Sequence, residues 1–314
     1  MGTVAKGGVE KYGGRMTSFF RYPGGKSKLL GIISKHLSLY SQDTSFEYRE
    51  PFFGGGSVGI RFIADNPKWK NIWVNDKDIG VSSLWTSLFD YPEELKQKVQ
   101  DFTPSVDAFD SFKEFLTTLF ICPRQKAKIV EAGFKKLAIH QISYSGLGTK
   151  SGGPLGGREQ KSKYPIDCRW SPDYICKKID KLHKMFSSFE IRDSACTNLD
   201  FEDLIKENGK AFLYVDPPYY VKGNDLYQCG FTQEDHERLA KALYETPHSW
   251  VLSYDDCQEI RDLYQWASVK SVDVNYSITA TKEHSGERRS RKKSELIICS
   301  NEHMEVFDAT TTIL

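Results

Sequence analysis

Short apolar runs separated by glycine-containing or polar turns indicate a sheet with helices between its strands. Residues 211–215 are consecutive apolar or aromatic residues, a pattern typical of a strand buried on both faces. Further strands are expected at five places, near 46–49 and at 71–74, 250–253, 269–276 and 295–300. A glycine turn at 54–56 and a helical pattern at about 58–64 separate the first two of these strands. This order predicts an open α/β sheet.

Between residues 80 and 188 the pattern becomes mostly helical. One helix there has an apolar face with α-helical spacing, made of Ile175, Ile179, Leu182 and Phe186. A glycine-rich loop at 144–165 interrupts the helices, and loops of this length inside a domain are usually functional or disordered. We therefore expect one α/β domain, formed by 16–79 and 189–314, that is interrupted by a helical module at 80–188 and preceded by a disordered segment at 1–15.

The composition is that of an ordinary globular protein, with 39% hydrophobic and 27% charged residues among 314. A net charge of +1 excludes a protein that is basic throughout, so any affinity for nucleic acid must come from local patches. There is no apolar run near 18 residues and no signal-peptide pattern, so no membrane association is expected. Seven cysteines without a C-x-x-C pair argue against a disulfide framework and a metal site, and favour the reducing cytoplasm.

The stretch Asp216-Pro217-Pro218-Tyr219 directly follows the predicted strand at 211–215. A carboxylate can accept a hydrogen bond from an amino group on a planar ring, and the tight turn leaves the carbonyl of Pro217 to accept a second. Tyr219 offers an aromatic face for stacking on such a ring. An acid followed by proline can also form a plain turn. The whole tetrapeptide behind a buried strand favours a site that acts on an exocyclic amino group.

A second motif, Phe53-Gly54-Gly55-Gly56-Ser57, follows the first predicted strand. Glycines there let a ligand approach the backbone closely. Asp76 lies 20 residues beyond Gly56, at the end of the next strand, where an acid can accept hydrogen bonds from ribose hydroxyls; Asp78 is the alternative. Together these features favour an adenosyl-type cofactor over a plain turn. Gly25-Lys26-Ser27 is not the end of a phosphate-binding P-loop, because the spacing of that motif requires a glycine at position 20, where the chain has Phe20.

In chain order, these motifs resemble those of the Dam-like (D12 class, alpha group) DNA adenine-N6 methyltransferases. The resemblance rests on Tyr22-Pro-Gly-Gly-Lys26, Glu50-Pro-Phe-Phe-Gly-Gly-Gly-Ser57, Asp76 and Asp216-Pro-Pro-Tyr219, and it extends from about 19 to 300. It implies a Rossmann-like, S-adenosylmethionine-dependent methyltransferase sheet with an inserted, mostly helical target-recognition domain at 80–188. Duplex DNA would be the substrate.

The same resemblance implies site residues. Those that would line the cofactor pocket are Tyr22, Lys26, Phe53, Gly54, Gly56 and Asp76. Asp200 is the first candidate for binding the amino group of the cofactor's adenine, and Asp193 is the second. Those that would act on the target adenine are Asp216, Pro217, Pro218 and Tyr219, without a metal.

Contacts with DNA are expected from two basic regions and one turn. Residues 144–190 contain nine Lys/Arg against five Asp/Glu, and residues 282–293 contain six against two. Tyr144-Ser145-Gly146-Leu147 resembles a Tyr-Asn-Gly-Leu turn of enzymes that modify GATC, but Ser replaces Asn and Lys150 stands where an arginine would be expected, which argues against GATC itself. The candidate DNA-binding residues are Tyr144, Ser145, Lys150, Arg158, Arg288, Arg291, Lys292 and Lys293.

The expected reaction is methyl transfer to an adenine that has been flipped out of the duplex, because a stacked base cannot reach a buried methyl donor. An adenine methyltransferase acting on RNA, and a non-catalytic DNA-binding regulator on the same fold, are the alternatives. A cognate restriction endonuclease is a candidate partner. The expected location is the cytoplasm, for a nucleoid-associated enzyme or for a virus-encoded one that acts in the host cell.

Overall fold

The structure is a computed structural model that describes residues 18–20, 26, 29–38, 45–67, 69–221, 223–276 and 291–300. For 36–38, 224, 274–276 and 291–293 it describes the backbone alone. The expected disorder of residues 1–15, and the candidate residues Tyr22 and Arg288, lie outside the described part of the chain.

The described residues form a seven-stranded sheet. Its strands are β1 (Glu47–Glu50), β2 (Asn71–Val74), β3 (Glu190–Ile191), β4 (Ala211–Val215), β5 (Ser249–Asp255), β6 (Ser268–Tyr276) and β7 (Arg291–Cys299). They lie in the order β3-β2-β1-β4-β5-β7-β6. Neighbouring strands are parallel except that β7 runs antiparallel to both β5 and β6. The predicted α/β class is confirmed.

The last strand begins earlier than its apolar pattern indicated. The sequence predicted a strand from Glu295, with Arg291 to Lys293 in the loop before it. In the structure β7 begins at Arg291, and its first residues pair with β6 as far as Tyr276. The placement of Arg291, Lys292 and Lys293 in a loop was therefore wrong. Backbone hydrogen bonds hold this end of the hairpin, and they do not require apolar side chains.

The described part of the chain contains eleven α-helices. They are α1 (Leu30–Ser38), α2 (Ser57–Asp65), α3 (Ile79–Asp90), α4 (Pro92–Asp101), α5 (Val106–Thr117), α6 (Lys126–Ile142), α7 (Pro172–Phe186), α8 (Phe201–Lys206), α9 (Gly223–Leu226), α10 (Gln233–Glu245) and α11 (Gln258–Leu263). Five of them, α3 to α7, occupy the stretch that the sequence pattern predicted to be mostly helical.

The glycine-rich loop after α6 is folded. Ser143 and Pro154 form an isolated antiparallel bridge, and the amide of Leu155 donates to the carbonyl of Ile142 at 2.7 Å. Two 3-10 turns, Tyr144–Gly146 and Gly148–Lys150, lie between the two sides of this bridge. The bridge therefore closes the tip of the loop, with the candidate DNA-binding residues Tyr144, Ser145 and Lys150, onto the end of α6.

The core has two layers, one on each face of the sheet. Along β4, Phe212 and Tyr214 belong to one buried cluster, and Leu213 and Val215 to the other, as alternation along a strand requires. The second cluster is covered by α8, α10 and α11. The first cluster runs without interruption from the sheet into α3, α5, α6 and α7. The inserted helices therefore share a hydrophobic core with the sheet.

The order of the strands fixes where a ligand can bind. The chain builds outward from β1 through β2 to β3, and then returns to place β4 on the other side of β1. The helices that leave two such neighbouring strands cover opposite faces of the sheet, which opens a crevice at the carboxyl ends of the strands. Glu50 ends β1 and Asp216 directly follows β4, so both motifs of the sequence meet at this crevice.

The side chain of Arg49 on β1 stabilises the end of the sheet that lies away from the crevice. Its side chain is 1% exposed. Its guanidinium forms an ion pair with Glu47 and donates at 2.8–2.9 Å to three carbonyl groups at the end of α8, those of Leu204, Glu207 and Asn208. These bonds satisfy carbonyls that the end of a helix leaves without partners.

Replacing this buried guanidinium should destabilise the fold. Arg49→Met removes the donors while keeping an unbranched chain, and we expect the free energy of unfolding to fall by about 3 kcal/mol in equilibrium urea denaturation. Arg61→Met, at an exposed arginine paired with Asp65 within α2, is the matched control and should cost less than about 0.5 kcal/mol. Equal losses in the two variants would contradict the role given to Arg49.

Candidate active site

A cavity opens at the carboxyl ends of β1, β2 and β4. Its walls come from five segments of the chain, within 50–58, 75–78, 199–201, 216–218 and 227–231, and from Ser18 and Asp235. The glycine turn, the two acids after β2 and the Asp216 motif, which the sequence singled out separately, therefore face one space.

The glycine turn has a backbone that requires glycine. Gly54 and Gly56 have φ values of 47° and 69°. A Cβ atom on Gly56 would lie 2.6 Å from the ring of Trp85. The amide of Gly54 donates to Asp76 at 2.7 Å, and the indole of Trp85 donates to the carbonyl of Gly54 at 2.8 Å. The ring of Phe53 is buried against Trp85, so this candidate residue contributes mainly its backbone to the cavity wall.

Asp76 and Asp78 make different contacts, Asp76 with the glycine turn and Asp78 with the insertion. Asp76 is 7% exposed on the cavity wall and accepts the amides of Gly54 and Asp78, one on each oxygen, which leaves each oxygen capacity for a further hydrogen bond. Burial, and then the nearby charge of Asp78, raise the pKa of Asp76 to about 7. Asp78 caps the start of α3 and forms a buried ion pair with Lys136 of α6.

Asn75 holds three walls of the cavity together. Its side-chain amide donates to the carbonyl of Pro51, and its carbonyl oxygen accepts the amide of Leu199 and the hydroxyl of Thr197. The sequence analysis missed this residue. Its position directly after β2 was the available signal, because polar residues at the carboxyl ends of strands face the crevice.

Of the two acids considered for the cofactor's adenine, the structure brings one to the cavity. Asp200 lies on the wall, where it caps α8 and pairs with Arg238 at 3.0 Å. Asp193 lies in a 3-10 turn with a φ of 58° and is not part of the wall.

Asp216 has one oxygen engaged by the protein. Oδ1 accepts from Lys26 Nζ at 3.0 Å and from Ser253 Oγ at 3.1 Å. Within the described residues, neither Oδ2 of Asp216 nor the carbonyl of Pro217 accepts a hydrogen bond. The Asp216 side chain is 21% exposed. Burial raises the pKa of Asp216 to about 6, against the lowering effect of the Lys26 ammonium.

Lys26 lies behind the motif. Its side chain is 1% exposed, and besides Asp216 its ammonium contacts the hydroxyl of Tyr219 at 2.8 Å and a carboxylate oxygen of Glu295 at 3.4 Å. Burial by itself would lower the pKa of Lys26, but the surrounding groups, Asp216 first, raise it well above its ordinary value. Lys26 is not among the residues that line the cavity, so it touches the Asp216 motif and not the cofactor wall for which it was a candidate.

Tyr219 is also buried, at 5% exposure. Its hydroxyl donates to Glu295 at 2.9 Å, and its ring lies 4.4 Å from the ammonium of Lys26. Pro218 and Tyr227 line the cavity, and the Tyr227 ring meets that of Tyr219 edge-on at 6.5 Å. The sequence analysis missed Glu295, although an acid that opens an apolar run in a central strand was a usable signal.

The chain that follows the motif is fixed by Asp255, at the end of β5. Its two carboxylate oxygens accept the amides of Tyr220 and Val221, at 2.9 and 3.1 Å. This pair of bonds sets the direction in which the chain leaves Tyr219 toward Tyr227 and the cavity wall.

The four candidate DNA-binding residues of the loop, whose side chains the structure describes, do not line the cavity. Tyr144 is 64% exposed, and Ser145 next to it has a φ of 58°. Lys150 is exposed at the end of the second 3-10 turn. Arg158 forms a bidentate ion pair with Asp110 of α5, and both residues are exposed.

None of the helices in the described residues is long and apolar enough to cross a bilayer. Likewise, no group of three or more His, Cys, Asp or Glu side chains in this part of the chain is arranged to hold a metal ion.

Comparison with known proteins identifies the family. The sequence model of the D12 class N6 adenine-specific DNA methyltransferases matches residues 22–140 and 173–278, well over half of the chain. The match leaves out 141–172, which contains the loop closed by Ser143 and Pro154. None of the curated proteins matches the chain significantly. The matched ranges contain Lys26, the glycine turn, Asp76 and the Asp216 motif, and the chain belongs to the D12 class of adenine-specific DNA methyltransferases.

Proposed function

We propose that this enzyme methylates N6 of an adenine flipped out of duplex DNA, with S-adenosylmethionine as the methyl donor and the crevice cavity as the site. The family supports methylation of adenine in DNA. The observation that carries the finer proposal is the pair of acceptors at the motif. Asp216 keeps one oxygen on Lys26 and Ser253, while its other oxygen and the carbonyl of Pro217 remain for an amino group.

The cavity wall is rich in hydrogen-bond acceptors. Six carboxyl groups and one lysine, Lys77, line the cavity. The acids are Glu50, Asp76, Asp78, Asp200, Asp216 and Asp235. Most of their charge is balanced, because Asp78 pairs with Lys136, Asp200 and Asp235 pair with Arg238, and Asp216 pairs with Lys26. The wall therefore offers a cofactor carboxyl oxygens that can accept hydrogen bonds from its hydroxyl and amino groups.

The residues on this wall suit the parts of S-adenosylmethionine. Asp76 would accept hydrogen bonds from the ribose hydroxyls, and Asp200 from the adenine amino group. The backbone at Gly54 and Gly56 would let the cofactor approach closely. Tyr22 remains a candidate from the sequence. When bound, the cofactor supplies a methyl group on a sulfonium, which needs no proton transfer to become reactive.

Asp216 and Pro217 would activate the target nitrogen. The lone pair of an adenine amino group is delocalised into the ring, which makes the nitrogen a poor nucleophile. Two acceptors, one for each N–H, favour the tetrahedral nitrogen on which the lone pair is localised. Acceptors that are held in place before the reaction stabilise this geometry without reorganisation.

The limited exposure of Asp216 supports base flipping. A base stacked in a duplex cannot reach a carboxylate that is 21% exposed at the base of a crevice. Flipping costs a few kcal/mol, which contacts in the pocket must offset. Tyr219, the stacking residue expected from the sequence, is buried against Lys26 and is not part of the wall, so Pro218 and the ring of Tyr227, which line the cavity, are the proposed contacts of the base.

We further propose that residues 80–188 act as the target-recognition domain, inserted into a catalytic domain formed by 16–79 and 189–314. The exposed ring of Tyr144 and the basic excess of the surrounding segment support this assignment. Candidate contacts there are Tyr144, Ser145, Lys150 and Arg158. Arg288, Arg291, Lys292 and Lys293 would contact phosphates, which position the duplex without reading its sequence.

The first test removes the carboxylate acceptor. Asp216→Ala should lower the single-turnover rate of methyl transfer to duplex DNA at least about a thousandfold, because it removes an acceptor used in the transition state. Binding of DNA and of S-adenosylmethionine should change little. Asp262→Ala, at an exposed aspartate of α11, is the control. A rate near wild type for Asp216→Ala would refute the proposed role.

The second test is the pH dependence of the reaction. The acceptor role needs a charged carboxylate, so kcat/KM for DNA at saturating cofactor should fall as the pH drops through the pKa of Asp216, about 6. Ser253→Ala removes a hydrogen bond that favours the charged form, so the acid limb should move to higher pH. Ser271→Ala, which removes a hydrogen bond to Asp256 outside the cavity wall, should leave the limb in place. An unmoved limb in Ser253→Ala would contradict the assignment.

The third test concerns the substrate. Duplex DNA incubated with the enzyme and S-adenosylmethionine should carry N6-methyladenine at one short recurring sequence, seen by sequencing with single-base readout of modified bases. The same sequencing shows whether the target is GATC, which the departure of the loop from the Tyr-Asn-Gly-Leu pattern puts in doubt. A structured RNA of equal length should accept little methyl. Faster transfer to RNA than to DNA would favour the RNA alternative.

A further inference from the structure

The helical insertion is hydrogen-bonded to the chain after the Asp216 motif through the side chain of Gln228. We infer that Gln228 is a positioning residue, which transmits the placement of the recognition loop on DNA to the wall of the base pocket. The inference rests on the proposed function. It adds a residue that couples target recognition to methyl transfer, and it concerns neither cofactor binding nor the acceptors themselves.

In the sequence, Gln228 lies between two residues of the cavity wall. Its neighbours Tyr227 and Cys229 both line the cavity, together with Asp216 and Pro218. The ring of Tyr227 meets that of Tyr219 edge-on. A shift of the backbone at 228 would therefore move the wall that faces the target base.

The amide of Gln228 is fixed at both of its ends. Nε2 donates to the carbonyl of Leu116 at 2.7 Å, and Oε1 accepts from the hydroxyl of Thr149 at 3.0 Å. The carbonyl of Leu116 can only accept, so the nitrogen of the amide must face it and the oxygen must face Thr149. Leu116 and Thr149 are 2% and 6% exposed, so both bonds are shielded from water at the partner end.

The two partners belong to separate parts of the insertion. Leu116 lies at the end of α5, which packs in the shared core, and its side chain is part of that core. Thr149 lies in the second 3-10 turn of the loop, next to the candidate DNA contact Lys150. Gln228 therefore joins the cavity wall to one fixed point and to one point on the loop that would meet DNA.

This geometry gives the loop a direct mechanical connection to the pocket. If the loop adjusts when it meets the correct sequence, Thr149 carries the change to the amide, and Gln228 carries it to Tyr227. On an incorrect sequence the wall would not reach the position that holds the flipped adenine. Removing the connection should therefore reduce the rate on the correct sequence and the discrimination against incorrect ones, while cofactor affinity stays the same.

The test compares Gln228→Ala with Gln97→Ala, an exposed glutamine on α4 of the same insertion. Single-turnover rates are measured on a duplex with the mapped target site and on duplexes with one base pair changed. We expect Gln228→Ala to be about tenfold slower on the target and to lose most of its discrimination, because a rate effect of this size matches the loss of one or two hydrogen bonds. Gln97→Ala should match wild type.

Two further variants separate the two bonds. Thr149→Val keeps the shape of the side chain and removes only the hydroxyl, and we expect a rate about threefold lower on the target. Gln228→Ala with Thr149→Val should be no slower than Gln228→Ala alone, because the two residues act through one bond. Additive losses would show that the residues act independently and would overturn the inference.

Three readouts distinguish positioning from a merely structural role. For Gln228→Ala, the melting temperature should be within about two degrees of wild type, and the Kd for S-adenosylmethionine should be within about twofold of it. Hydrogen exchange at 225–231 should slow when wild type binds the target duplex, and should not slow in Gln228→Ala. A variant with wild-type rate, discrimination and exchange, or one that loses cofactor binding, would overturn the inference. Absence of methyl transfer by the wild-type enzyme would instead refute the proposed function, and the exchange measurement would still test the connection.

Discussion

The buried ammonium of Lys26 is the interaction on which the candidate site depends. Removing an ammonium from water costs several kcal/mol, so it must be compensated by charge and hydrogen bonds. Here the compensation comes from Asp216 and Tyr219 of the Asp216 motif and from Glu295 of β7. One side chain thereby joins the segment at the start of the described chain to the motif after β4 and to the antiparallel part of the sheet. The same contact holds one oxygen of Asp216 and leaves the other for a ligand.

Much of the fold could be predicted from the sequence, because its signals are local. The strands at 71–74 and 211–215 were predicted from short apolar runs. The glycine turn and Asp216 were identified from their residue types and from their positions directly after predicted strands. The contacts of Lys26, Glu295 and Ser253 could not be predicted in this way, since they join residues that are far apart in the chain and meet only when β5 and β7 pair. The early start of β7 was missed for a related reason: the backbone pairing with β6 continues past the end of the apolar run.

The inserted helices and the sheet are stabilised together. Trp85 of α3 packs on Phe53 in the glycine turn and on Phe186 of α7, so the cofactor wall and the insertion have common neighbours. Lys136 of α6 pairs with Asp78, next to the acid that would hold the ribose. Two packed elements with a continuous core move with difficulty relative to each other. The positions of the inserted helices relative to the crevice are therefore set largely by the fold, and the smaller adjustments fall to loops and single side chains.

The bridge between Ser143 and Pro154 has a consequence for how such enzymes diversify. It closes the glycine-rich tip at its base, so changes at the exposed residues Tyr144 and Ser145 can leave the packing of α6 on the sheet unchanged. If the tip reads DNA, as proposed, selection can change the sequence that is read without altering Asp216, which agrees with the absence of 141–172 from the family match. Other positions of the tip are more constrained, because Gly146 and Gly148 contact His140 of α6 and a lineage that changes Thr149 must also find another way to hold Gln228.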